Sequence, residues 1–186
     1  DDIELMPKLR PLNMYGSSKK LFDMWCLRHK LLDEVVNLKF FNVYGPNEYH
    51  KGSMMSMVCR AVPQVQELGK IRLFKSDNPK YGDGESLRDF VYSKDVSALM
   101  YWFMESKNVN GIFNVGAGKA RTWNDLAKAV FAAMDLEENI EYFDMPEHLK
   151  GKYQYFTEAG MSWMQRENCP VKFHSLEEGV DDYVRN

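Results

Sequence analysis

The residues best suited to chemistry are Tyr15 and Lys19, set four apart in Asn13-Met14-Tyr15-Gly16-Ser17-Ser18-Lys19. At the start of a helix that spacing is close to one turn, so both side chains leave the same face. A lysine ammonium beside a phenol favours the phenolate and lowers the phenol's pKa. A phenol tuned toward neutral pH can carry a proton to or from a substrate hydroxyl. The same pair also suits a plain surface contact on an amphipathic helix. The two residues alone do not choose.

The elements that must hold them follow from patterning. Residues 1–12 are polar and carry Pro7 and Pro11, which reads as a loop. A helix is expected from about Tyr15 to His29, with Tyr15, Lys19, Phe22 and Cys26 on one stripe. The apolar run Asn37 to Tyr44 reads as one strand stopped by Gly45-Pro46. Residues 47–53 read as a polar loop. A helix should then carry Met54, Met55, Val58, Cys59 and Val62, with Pro63 kinking or ending it. Ile71–Phe74, Arg88–Tyr92, Gly111–Val115 and Ile140–Phe143 read as strands, and residues 75–87 as a long loop. Val96, Leu99, Met100, Phe103 and Met104 form an amphipathic stripe. Thr122 with Asp125, and Ser175 with Glu178, have capping-box spacing, and Thr157 to Arg166 is expected to be a short helix. Helices alternating with short apolar strands indicate an α/β fold.

Composition narrows the partners. The chain has 186 residues, enough for one or two small domains, with a net charge of −3 and hence no basic footprint for nucleic acid. No apolar run approaches the roughly 20 residues of a membrane span. Cys26, Cys59 and Cys169 are far apart and suggest neither a metal site nor a disulfide framework. Reduced thiols in the cytoplasm are the expectation.

Four runs then occur in a telling order: Tyr15-x-x-x-Lys19, Phe41-Asn42-Val43-Tyr44-Gly45-Pro46, Arg88-Asp89-Phe90-Val91-Tyr92 with Asp95-Val96, and Phe113-Asn114-Val115-Gly116. In that order they resemble the extended short-chain dehydrogenase/reductases that act on nucleotide sugars. The narrower runs Asn42 to Met54 and Leu149 to Gln154 are similar to the branch of that family acting on ADP-heptose. The resemblance covers nearly the whole chain. It begins partway into the family's sequence, and the glycine-rich turn that holds a cofactor pyrophosphate in such proteins has no counterpart here. Gly116-Ala117-Gly118 follows a late strand and reads as a loop. The expectation is therefore the C-terminal part of a Rossmann-type extended short-chain dehydrogenase/reductase with a small α/β substrate-binding domain. Residues 1–46 would be a remnant of the cofactor domain, and 47–186 mainly the substrate domain, with about 90–118 returning to the first.

What the resemblance implies is an NADP-dependent epimerase that inverts C6″ of ADP-heptose through a ketone, in lipopolysaccharide core precursor synthesis. It implies a cytoplasmic homo-oligomer, with no nucleic acid or membrane partner. Tyr15 and Lys51 would be the two acid/bases. Lys19 would hold the nicotinamide ribose, and Val43 and Lys51 would touch the cofactor. Asn42, Ser53, Arg60, Phe74, Arg88 and Tyr153 would contact substrate. A lysine desolvated in a closed pocket can act as a base near neutral pH, although most loop lysines are simply solvated. The family places this role on Lys51 rather than on neighbouring His50. Arg88 suits a diphosphate, or could pair with Asp89 or Asp95. Arg60 stands where the family commonly has histidine, and the 75–87 loop is longer than usual. His148, His174 and the cysteines are expected to serve structure only. Two other readings stay open: a 4-epimerase or dehydratase of the same superfamily, and a non-catalytic substrate-binding module.

Overall fold

Short parallel strand pairs, each covered by helices, organise the computed structural model, which describes residues 3–147, 149–151 and 153–186. His148 and Lys152 lie outside the described residues. The chain enters through a 3-10 helix at Ile3–Lys8, where a loop was expected. Helix α1 (Met14–Arg28) follows, capped by the Asn13 side chain, which accepts from the Gly16 amide at 2.8 Å.

The expected single strand from Asn37 to Tyr44 is two. β1 (Val36–Phe40) runs parallel to β5 (Gly111–Val115), with Leu38 opposite Phe113. β2 (Asn42–Tyr44) runs parallel to β4 (Leu87–Tyr92), with Val43 opposite Val91. Phe41 is the changeover. Its amide still donates to Val115 of β5, while its own carbonyl accepts from the Val43 amide at 2.9 Å. β4 also pairs antiparallel with β6 (Ala120–Thr122), a strand that the sequence pattern does not signal. β3 (Ile71–Phe74) and β7 (Ile140–Phe143) form a separate parallel pair.

After β2 a 3-10 segment, Tyr49–Met54, stands where a loop was expected. Helix α2 spans Met57–Leu68, so Met54 and Met55 lie before it and Pro63 lies within it. Proline removes one backbone bond there, but Val58, Ala61 and Val65 are buried around it and hold the helix in place. Gly69, at φ +63°, ends it in the left-handed conformation. Helix α3 (Ser93–Glu105) buries Val96, Leu99 and Phe103, while Met100 and Met104 of the expected stripe are exposed. Both capping boxes form, starting α4 (Trp123–Ala133) and α6 (Leu176–Arg185).

The expected helix at Thr157–Arg166 shrinks to α5 (Trp163–Arg166), because the residues before it are drawn alongside β4. The Thr157 amide donates to Leu87 O at 3.2 Å, and the Ala159 amide to the Asp89 carboxylate at 2.9 Å.

Two cores result. α2, α4, α6 and β3 bury Val58, Ala61, Ile71, Leu126, Val130, Phe131 and Val180 together. α3, β4 and β5 bury Val91, Leu99, Phe103, Phe113 and Val115 around Trp163, which is fully enclosed and donates from its indole to Asn114 O at 2.9 Å. Cys26, Cys59 and Cys169 are all free thiols. No helix among the described residues is long and apolar enough to cross a membrane.

Candidate active site

Tyr15 and Lys19 share one face of α1, with the Lys19 ammonium 5.0 Å from the centre of the Tyr15 ring. Both are exposed. The helix beneath them buries only Asp23 and Cys26. Asp23 is its anchor, because its carboxylate takes the Lys39 ammonium of β1 and lies 3.5 Å from the Asn37 amide group. Lys20 ties the other side by donating to the carbonyls of Pro7 and Leu9 at 3.0 and 2.9 Å.

Asn42 and Val43 sit on β2 beside β4. Asn42 is exposed and Val43 packs partly into the Trp163 core. Just beyond lies Lys51, on the 3-10 segment after β2. Its side chain is 45% exposed and it pairs with Glu48 at 3.3 Å. Glu48 is the buried partner. Its carboxylate also accepts from the Gly45 amide at 3.2 Å and the Ser56 amide at 2.9 Å, and these bonds hold it below the usual glutamate range against the upward pull of burial. Ser53 lies exposed past the turn at Gly52, whose φ of +54° and ψ of −123° only glycine adopts cheaply.

Arg60, Phe74 and Tyr153 meet elsewhere, around a cavity of about 340 Å³ between α2, β3, β7 and the 75–86 loop. Trp123, Phe143 and Tyr155 add rings to its wall, and Arg72 and Lys75 add charge. Arg72 pairs with Glu141 at 3.2 Å and Lys75 with Asp144 at 3.1 Å. Arg60 has no carboxylate within ion-pair distance among the described residues, so it is the cavity's uncompensated cation. The Tyr153 hydroxyl accepts from the Trp123 indole at 2.9 Å, which fixes both rings. Tyr155 stacks on Tyr81 and bonds to Asp77, drawing the long loop against the cavity.

Arg88 stands behind this wall. It is buried, donates to the carbonyls of Leu87 and Gln154, and lies 5.1 Å from the Tyr153 ring centre. Burial holds its proton affinity below the ordinary arginine value. It pairs with neither Asp89 nor Asp95. Asp95 takes His174, through its ring at 2.5 Å and its amide at 2.9 Å.

Asp89, fully buried, accepts from the amides of Ala117, Gly118 and Ala159 at 2.6 to 3.0 Å. Burial raises its pKa even against those three donors. The Gly116–Gly118 turn therefore holds a carboxylate of its own chain. A Cβ on Gly116 would stand 2.6 Å from Asp89 Oδ2, so the turn has no room for a pyrophosphate.

Sequence reasoning missed Glu48, Asp89, Asp23 and Trp123. For Glu48 a signal existed in its i, i+3 spacing to Lys51. For the others the partners lie far away along the chain.

Parallel strand pairs covered by helices define a Rossmann-like α/β protein. The chain belongs to the NAD dependent epimerase/dehydratase family, whose model matches residues 1–116. It is 58% identical over 185 residues to an ADP-L-glycero-D-manno-heptose-6-epimerase of Nitratidesulfovibrio vulgaris, covering 100% of this chain and 57% of that protein. A protein of the same name from Fusobacterium nucleatum is 48% identical over 195 residues, covering 100% and 59%. Among solved structures, the Helicobacter pylori ADP-L-glycero-D-manno-heptose-6-epimerase superposes with a TM-score of 0.77 at 29% identity, covering 94% of this chain and 51% of that one. The chain thus spans a little over half the length of the relatives it matches. The family's description implies a nicotinamide cofactor. Tyr15 and Lys19 offer an exposed phenol and an exposed ammonium on one face, groups that can hydrogen-bond to such a cofactor.

Proposed function

We propose that the protein carrying this chain interconverts ADP-D-glycero- and ADP-L-glycero-D-manno-heptose at C6″, using NADP, in lipopolysaccharide core precursor synthesis in the cytoplasm. The observation that carries this reading is the cavity. Flat rings suit a nucleoside base, and Arg60 offers uncompensated positive charge for a diphosphate. Phe74 and Tyr153 are its substrate-facing rings. Arg88 acts from behind, bracing Tyr153 and adding positive field. The identity to relatives named for this epimerisation supports the choice of sugar nucleotide.

When bound, the nicotinamide supplies hydride removal and return at the carbinol carbon. The remaining work is proton transfer and positioning. Tyr15 takes the hydroxyl proton on one face and gives it back, with Lys19 on the same helix face holding the nicotinamide ribose. Lys51 performs the same exchange on the other face, because the hydroxyl of the second epimer arrives from the opposite direction. Asn42 and Ser53 hold the sugar, and Val43 and Lys51 border the cofactor. In this reading β1, β5 and α1 belong to the cofactor domain, and the α2–α4–β3–β7 unit to the substrate domain. A homo-oligomer fits the same reading.

The test is product analysis. The protein is expected to equilibrate the two ADP-heptose epimers and to leave UDP-galactose unchanged. Turnover of UDP-galactose with ADP-heptose untouched would transfer the reading to a 4-epimerase.

A further inference from the structure

We infer that Glu48 is a positioning residue for Lys51. It would place the lysine ammonium over the turn that follows β2, and so enable the second proton exchange. The inference rests on the role given to Lys51 under Proposed function.

The argument is geometric. Glu48 is only 6% exposed in a stretch that is otherwise largely open, with Asn47, Tyr49, His50 and Lys51 all exposed. A carboxylate buried among exposed neighbours is retained only where it is fully bonded. One oxygen accepts from the Gly45 amide at the end of β2. The other accepts from the Ser56 amide at the start of α2 and from the Lys51 ammonium. The Glu48 carbonyl accepts from the Lys51 amide at 2.9 Å, so the lysine is held at both ends of its side chain. Asn47, at φ +66°, and Gly52, at φ +54°, turn the backbone on either side. Between them these contacts close a ring from β2 to α2 with Lys51 on its outer edge.

Ring closure alone would need only the two amides. The bond to Lys51 is additional, and it joins the buried carboxylate to the residue assigned the proton. A four-carbon lysine stem that is nearly half exposed samples many rotamers. An ammonium displaced by about 1 Å can lose on the order of 10² in rate. Glu48 restricts that sampling without touching substrate.

The test is a double-mutant cycle in the protein carrying this chain, with kcat and KM for ADP-heptose measured separately. Glu48→Gln keeps one acceptor oxygen for the backbone amides and removes the charge facing Lys51. It is expected to lower kcat by about 10- to 10²-fold and to leave KM within about twofold. Lys51→Met is expected to lower kcat further. Adding Glu48→Gln to Lys51→Met should then change kcat by less than about twofold, since a residue acting through Lys51 has nothing left to act on. If Glu48→Gln does not accumulate as folded protein, Glu48→Asp replaces it in the same cycle. An undiminished kcat in the Glu48 variant would overturn the inference. So would a loss that persists in full beside Lys51→Met, which marks a structural role. Lys51→Met with parental kcat, or a parent without epimerase activity, overturns both this inference and the reading beneath it.

Discussion

Helices α1 and α4 contrast most sharply. α4 has eleven residues and buries six of them, Leu126, Ala127, Ala129, Val130, Phe131 and Ala133. α1 has fifteen and buries two, one of them an aspartate. Met14, Tyr15, Leu21, Phe22 and Trp25 of α1 are each at least half exposed. α4 is fixed by apolar area removed from water, at roughly 25 cal/mol for each Å². α1 is fixed by polar ties: its Asn13 cap, Lys20 on two carbonyls and Asp23 on Lys39. The helix assigned the chemistry is therefore the one whose surface residues can change with least effect on the fold. In α4, composition and stability cannot be separated.

The largest expected effect lies on α1 and leaves the fold alone. Tyr15→Phe removes one hydroxyl from a side chain that is 73% exposed. Turnover should fall by about 10²–10⁴, the usual worth of a general acid/base. The melting temperature should not move. A parallel drop in stability would erase the distinction between the two helices.

Phe131→Ala on α4 should instead cost about 3–5 kcal/mol of stability in the 186-residue chain, since that ring is 1% exposed. Urea denaturation measures it. Phe22→Ala on α1, at 56% exposure, should stay within about 0.5 kcal/mol in the same experiment. Equal costs would mean that α1 is buried in solution in a way these contacts do not convey.

Acid gives a graded version of the comparison. The α4 and α6 caps rest on Asp125 and Glu178, both held below their ordinary values, Asp125 by the Thr122 amide and Arg121 and Glu178 by the Ser175 amide. A carboxylate with a lowered folded pKa stabilises above its unfolded pKa, and that stability goes as pH falls through the folded value. Loss of helix signal should therefore begin below about pH 4 and deepen with acid. Glu178→Gln should flatten that dependence. An unchanged acid limb in circular dichroism would show that the caps do not govern it. The α1 cap, the neutral amide Asn13, should contribute nothing to that limb.

Much of this architecture was legible from local signals. The capping boxes Thr122/Asp125 and Ser175/Glu178 declare themselves within four residues. β3, β4, β5 and β7 are short apolar runs between breakers. The changeover at Phe41 was not legible, because it depends on β5 and β4, which lie some seventy and fifty residues away. β6 exists only by pairing with β4 and has no pattern of its own. Pro63 read as a stop because the burial that compensates for it comes from other elements. Among the site residues, Tyr15 and Lys19 were visible through spacing. The surroundings of Arg88 and Lys51 were not, since Gln154 O and the burial of Glu48 are tertiary facts.

The Asp89 cradle has a consequence for how the molecule responds to its solution. Anion sites built from backbone amides normally gain stability with the logarithm of ligand concentration. Here the anion is covalently part of the chain, and its local concentration is fixed by the fold. The turn after β5 should thus be ordered equally in phosphate, in sulfate and in their absence. No dilution empties it, and no competing anion of ordinary strength displaces what it holds.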